Sequence, residues 1–167
     1  MKNVVLIGMP AVGKTTVGRL LAKKLNMQFV DGDDLIRSSC MATLPEIIEK
    51  HGRDGFVKIE NAVLAGFEGE NTVLATGGSA VYGEQAMEHL KSRAVVIYLY
   101  ISYDRIALRL RRAKERGVAL RDGQTLRDLY DERAVLYEKY ADITINEADK
   151  KLDETVEECL AALKLKL

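Results

Sequence analysis

Gly8-Met9-Pro10-Ala11-Val12-Gly13-Lys14-Thr15-Thr16 is the stretch on which the rest of the chain turns. It fills every fixed position of the pattern G-x-x-x-x-G-K-[ST]. Val4-Val5-Leu6-Ile7 in front of it is a short apolar, β-branched run, as expected of a buried parallel strand. Behind it Val17, Leu20, Leu21 and Leu25 recur at helical spacing. A phosphate-binding loop needs this strand–loop–helix context. Its two glycines let the backbone curl so that successive N–H groups point inward. The helix behind adds the positive end of its dipole. Gly8, Ala11, Val12, Gly13, Lys14, Thr15 and Thr16 are therefore the expected nucleotide-binding set. Lys14 faces the outer phosphates, and the Thr15 hydroxyl is the expected ligand of Mg²⁺. A plain glycine turn would not need the Lys-Thr pair.

Working outward, 167 residues make one domain the default. Lys plus Arg number 25 and Asp plus Glu number 25, so no overall field draws the chain to nucleic acid or an anionic membrane. Trp is absent, which argues against base-stacking platforms. Cys40 and Cys159 lie far apart and read as reduced thiols. No apolar run reaches membrane-spanning length, and the first strand begins too early for a secretion signal. A monomeric cytoplasmic α/β domain over residues 1–167 is expected.

Met27-Gln28-Phe29-Val30 is a second strand, ending in Asp31-Gly32-Asp33-Asp34. Ligands of open α/β sheets sit at the carboxyl ends of strands, so these acids would face the same crevice as the loop. A helix cap would use one of them as well. Residues 43–68 read as two helices broken near His51–Gly55. The second carries Phe56, Ile59, Val63, Leu64 and Phe67 on one stripe, with Glu60 beside it. Residues 72–76 form a third strand that runs into Gly77-Gly78-Ser79. Residues 95–99 form a fourth, followed by a helix with Ile106, Leu108 and Leu110. Residues 111–124 are rich in arginine and glycine; they read either as a solvated helix end followed by a loop or, favoured by the phosphate loop, as a lid closing over phosphates. Thr125 opens a helix whose apolar stripe is Leu126, Leu129, Leu136 and Tyr140. Arg133 sits on that stripe, so it must snorkel, pair or point into a polar cavity, and the cavity is the expectation. Asp142–Ile145 is a fifth strand. The last helix packs through Leu152, Val156, Leu160 and Leu163. Alternating strands and helices mean a parallel sheet covered on both faces.

The assembled set resembles the shikimate kinase family of P-loop proteins over nearly the whole chain. Four features carry the likeness: Gly8–Thr15, Asp31-x-Asp33, Thr76-Gly77-Gly78, and Glu132-Arg133-Ala134-x-Leu136-Tyr137. The resemblance implies a three-layer P-loop fold with a five-stranded parallel sheet in the order 2-3-1-4-5. A small substrate-binding helical segment at about 31–60 and a lid at about 111–124 would complete it. It implies ATP and Mg²⁺ as cofactors, and transfer of the γ-phosphoryl group to a hydroxyl of shikimate or a related cyclic compound. Carried across by position, Asp31 would help hold the metal. Asp33 would hydrogen-bond the acceptor and take its proton. Glu60, Gly77, Gly78 and Ser79 would line the acceptor, and Arg133 would bind its carboxylate. Arg109 would lie near adenine, and Arg116 would reach the transferring phosphoryl group.

The departures matter equally. Val57 stands where the family has a second carboxylate-binding arginine, and Lys58 points about 100° away. Truncating one partner of such a pair costs about 2–5 kcal/mol. A pocket one cation short would leave Glu60 to compete for Arg133 and would suit a less acidic polyol. Ser79 replaces a third glycine, and Arg116-Gly117 replaces Arg-Pro, with Arg121 as the other lid candidate. The alternatives to a shikimate-type kinase are a kinase of a sugar acid or polyol, and a nucleotide-binding regulatory module without turnover. The lack of D-x-x-G and N-K-x-D argues against a GTPase switch.

Overall fold

The computed structural model describes residues 2–112 and 120–166. Five strands, β1 (Asn3–Ile7), β2 (Gln28–Asp31), β3 (Thr72–Ala75), β4 (Ala94–Tyr100) and β5 (Ile143–Asn146), form one sheet in the order β2-β3-β1-β4-β5. Every neighbouring pair is parallel, as expected. β1 and β3 are buried throughout and β4 over all but its last residue. This is why the sequence shows continuous apolar runs there rather than alternation.

The helices are α1 (Lys14–Leu25), α2 (Gly32–Cys40), α3 (Leu44–Ala65), α4 (Glu84–Arg93), α5 (Tyr103–Arg112), α6 (Leu126–Tyr140) and α7 (Leu152–Lys164). From β1 the chain crosses through α1 to β2 on one side. From β3 it crosses back through α4 to β4 on the other. Right-handed crossovers in opposite directions put the two helices on opposite faces of the sheet. The reversal leaves a crevice beyond the carboxyl end of β1, and the loop from Gly8 to Gly13 occupies that end.

The expected break in residues 43–68 falls on Gly52, with φ 70° and ψ 177° inside α3. Only glycine adopts that backbone without strain, so a new helical direction starts at Arg53. Gly52→Ala is expected to cost about 1–3 kcal/mol of stability, read from urea unfolding, although a Cβ there would meet no atom within 4 Å. No loss would mean the kink relaxes freely.

Three helices differ from expectation. On α6 the buried positions are Leu129, Tyr130, Arg133, Tyr137 and Tyr140, with Leu136 only partly buried against the core and Leu126 half-exposed. The polar capping box of Thr125 and Asp128 sets where the helix starts. Leu108 of α5 and Leu152 of α7 are exposed. In α7, Val156, Cys159 and Leu163 are buried. Among the described residues, no helix is long and apolar enough to cross a membrane.

Candidate active site

The loop after β1 turns through positive φ at Gly8, Ala11 and Gly13. Lys14, the first residue of α1, is buried, and its Nζ donates to the carbonyls of Gly8 at 2.6 Å and Met9 at 2.7 Å. The ammonium is thus drawn into the mouth of the loop. Thr15 lies one residue further on. Its Oγ1 stands 3.4 Å from Asp31 Oδ2, at the far limit of a hydrogen bond.

Asp31 ends β2 and caps α2, its Oδ1 accepting from the Asp33 amide at 2.9 Å. The two readings of this acidic turn therefore coexist. One Asp caps while Asp33, in the first turn, faces the cleft. Burial, chiefly, and the neighbouring Asp31 charge push the Asp33 carboxyl above its ordinary range, against the pull of Lys14 and Arg37.

Opposite the loop, Thr76 Oγ1 donates to Leu6 O at 2.9 Å and ties the end of β3 to β1. This presents Gly77-Gly78 edge-on to the cleft, where side chains would not fit. A Cβ on Gly77 would lie 3.0 Å from Glu60 Oε2 and 3.1 Å from Asp33 Oδ1. On Gly78 it would lie 2.7 Å from Pro10 and 2.9 Å from Arg133 Nη1. The glycine turn is thus in close contact with the phosphate loop, both carboxylates and the arginine. Tyr137 OH donates to Gly78 O at 2.6 Å and holds the turn from the α6 side. Lys14, Thr15, Asp31, Asp33, Glu60 and Arg133 all line one cleft of roughly 1020 Å³. Ala11, Gly13, Thr16, Gly77, Gly78 and Ser79 share it.

Gly8 and Val12 are not on the cleft wall; they shape the loop from beneath. Arg109 sits behind the loop. It donates to the Ala11 and Val12 carbonyls at 3.4 and 3.3 Å and forks onto Glu147 at 2.9 and 3.2 Å. Arg116 lies outside the described residues. Arg121 is exposed and 3.6 Å from Glu132, away from the cleft lining.

Glu60 is fully buried, and its Oε1 accepts from Ser79 Oγ at 2.6 Å. The expected pairing of Glu60 with Arg133 is not formed. Ser79, in place of a third glycine, supplies the hydrogen bond instead. Burial pushes the Glu60 carboxyl up to about 7, with the Asp33 charge adding to it and Ser79, Arg133 and Lys14 opposing. Below pH 4.5 the group is protonated in folded and unfolded chains alike. Between 4.5 and about 7 only the unfolded chain ionises, so stability is lost as pH rises and is level above that window. The loss is on the order of 3 kcal/mol. Glu60→Gln is expected to unfold at higher urea than the parent at pH 8, with the gap closing toward pH 4.5. Parallel curves would contradict this.

The expected shortage of cations is not observed either. Arg53, one helical turn before Val57, lines the same cleft. Sequence reasoning missed it because the break in α3 hid which face residue 53 occupies. It also missed Tyr82, whose ring lies 5.2 Å from Arg53 Cζ and 5.5 Å from Arg133 Cζ. Five buried side-chain polar atoms lack a partner among the described residues, and four belong to Arg53, Glu60, Tyr82 and Arg133. Each such atom costs about 1–3 kcal/mol. Their concentration at one end of the cleft marks a place built for a polar ligand.

The donor set fits a hard cation. Thr15 and Asp31 offer neighbouring oxygens, and no group of three or more His, Cys, Asp or Glu among the described residues could hold a metal alone. That is the arrangement of Mg²⁺ shared with phosphates and water.

The family model for shikimate kinase matches residues 10–164. A shikimate kinase of Bradyrhizobium diazoefficiens is 39% identical over 170 residues, spanning 99% of this chain and 81% of the relative. One from Caldanaerobacter subterraneus is 37% identical and covers 99% of both chains. The solved shikimate kinase from Acinetobacter baumannii, in complex with shikimate, superposes with a TM-score of 0.88 at 35% identity, covering 99% of this chain and 94% of that one. A gluconokinase from Sinorhizobium meliloti, 19% identical with a TM-score of 0.56, shares the fold alone. Cleft, sheet order and sequence agree, and the chain belongs to the shikimate kinase family.

Proposed function

We propose that this chain transfers the γ-phosphoryl group of ATP to a hydroxyl of shikimate. The observation that carries this reading is the placement of a carboxylate, Asp33, and a buried arginine, Arg133, along one glycine turn facing the phosphate loop. Shikimate is a cyclic acid with several hydroxyls. It requires one group to take a hydroxyl proton and another, some distance away, to hold a carboxylate.

The loop amides and Lys14 bind and orient the outer phosphates. Thr15 and Asp31 would hold Mg²⁺, which would supply charge to offset that of the phosphate oxygens. Asp33 accepts the proton of the attacking hydroxyl as its oxygen bonds to phosphorus. The bond to the bridging oxygen breaks, and ADP departs with the electron pair. The raised affinity of Asp33 for a proton suits that task. Gly77, Gly78 and Ser79 lie along the acceptor ring, and Glu60 positions Ser79. Arg109 braces the loop on the adenine side. Arg116, outside the described residues, is the arginine that the family resemblance assigns to the transferring phosphoryl group. The chain works as a cytoplasmic monomer within aromatic amino acid biosynthesis.

Release of ADP measured against a panel of hydroxy acids and polyols tests the reading. Shikimate is expected to exceed gluconate and uncharged cyclic polyols in kcat/KM by about 10²-fold or more. Preference for an uncharged polyol would overturn it.

A further inference from the structure

Arg53 has no role in the mechanism above, yet its placement is costly. It is the first residue after the Gly52 kink, so its cation sits at the positive end of a new helical run. Its side chain is only 14% exposed. Nη1 is 3.5 Å from Asp54, whose carboxylate is 89% exposed and offers a weak, solvated partner. Nη2 is buried with no partner among the described residues. Arg133 is similar, buried, with Nε unpartnered and no ion pair among the described residues. Both guanidiniums lie over the one Tyr82 ring, and both line the cleft. Two cations on one ring repel each other and leave N–H groups unsatisfied. An anion with two planar oxygens, held between them, would relieve both faults.

We propose that Arg53 is a specificity-determining residue that binds the acceptor's carboxylate together with Arg133, with Tyr82 holding the two guanidiniums in register. This rests on the reading of the acceptor as shikimate. Val57, four residues after Arg53, lines the same cleft, so the second cation has moved one helical turn rather than been lost. Lys58 is exposed and takes no part.

The test compares shikimate with its analogue in which the carboxylate is replaced by a hydroxymethyl group. Arg53→Gln is expected to raise KM for shikimate on the order of 10²-fold. KM for ATP and kcat/KM for the analogue should move less than about threefold. Adding Val57→Arg to Arg53→Gln supplies a guanidinium on the same face one turn along, and should recover about tenfold or more of the loss. Should Arg53→Gln fail to fold, Arg53→Lys keeps the charge but not the fork, and should raise KM for shikimate about tenfold. An unchanged KM for shikimate in the folded variant, or an equal loss on both acceptors, overturns the proposal while leaving the kinase reading intact. No turnover of shikimate by the unaltered chain overturns both.

Discussion

Asp33→Asn is expected to lower kcat for shikimate by about 10²–10⁴-fold while leaving KM for ATP nearly unchanged. Asn keeps the size and one acceptor oxygen but cannot take a proton at neutral pH. The side chain sits in the first turn of α2, whose cap is Asp31, so the helix itself should survive the change. Removing a partly buried carboxylate beside Asp31 also relieves like-charge repulsion. The variant should therefore be at least as stable as the parent above neutrality. Loss of turnover without loss of stability separates a proton acceptor from a structural residue. In the parent, kcat/KM should fall as pH drops through the raised ionisation of Asp33, whereas the residual activity of the variant should lose that limb. Steady-state kinetics from pH 5 to pH 9, with urea unfolding on both proteins, reads all three outcomes.

Lys14→Met is expected to lower kcat/KM by about 10³-fold or more. The reason is charge in a confined place. The Lys14 ammonium is buried at the mouth of a loop whose remaining donors are backbone amides. At reduced dielectric one unit of charge on the outer phosphates counts for several times its value in water. Met matches the length of the stem but carries no charge. It also strips the Gly8 and Met9 carbonyls of the donors now at 2.6 and 2.7 Å. A stability loss of about 1–3 kcal/mol should accompany the kinetic loss. Lys14→Arg is a useful contrast. It keeps the charge, but its planar fork does not fit two carbonyls on one side of a tight loop. Activity between those of parent and Met variant would assign the effect to charge and fit together. Full activity in Lys14→Met would remove the loop from the mechanism.

The core of this site was legible in the sequence because its physics is local. The spacing of Gly8, Gly13 and Lys14 between an apolar strand and a helical stripe needs no distant information. Asp31 and Asp33 follow from a strand end, and Arg133 from a charge standing on an apolar stripe. The sheet order was expected from the resemblance and is the order found. What was not legible depends on contacts between remote segments. Arg53 was read as part of a polar break, since nothing local shows that Gly52 redirects α3 and turns residue 53 into the cleft. Tyr82 gains meaning only where α3 and α6 bring two guanidiniums to its ring. The pairing of Ser79 with Glu60 joins residues 19 apart and reverses the expectation that Glu60 would compete for Arg133. The acceptor was left open for the same reason: a missing arginine at position 57 is visible, and its counterpart one turn away is not.

Phosphorus NMR of a reaction containing the purified chain, ATP, Mg²⁺ and shikimate tests the central claim most directly. The account predicts one phosphomonoester of shikimate formed for each ADP, with little inorganic phosphate. ADP appearing with inorganic phosphate at a rate that shikimate does not alter, and no phosphomonoester, would contradict it.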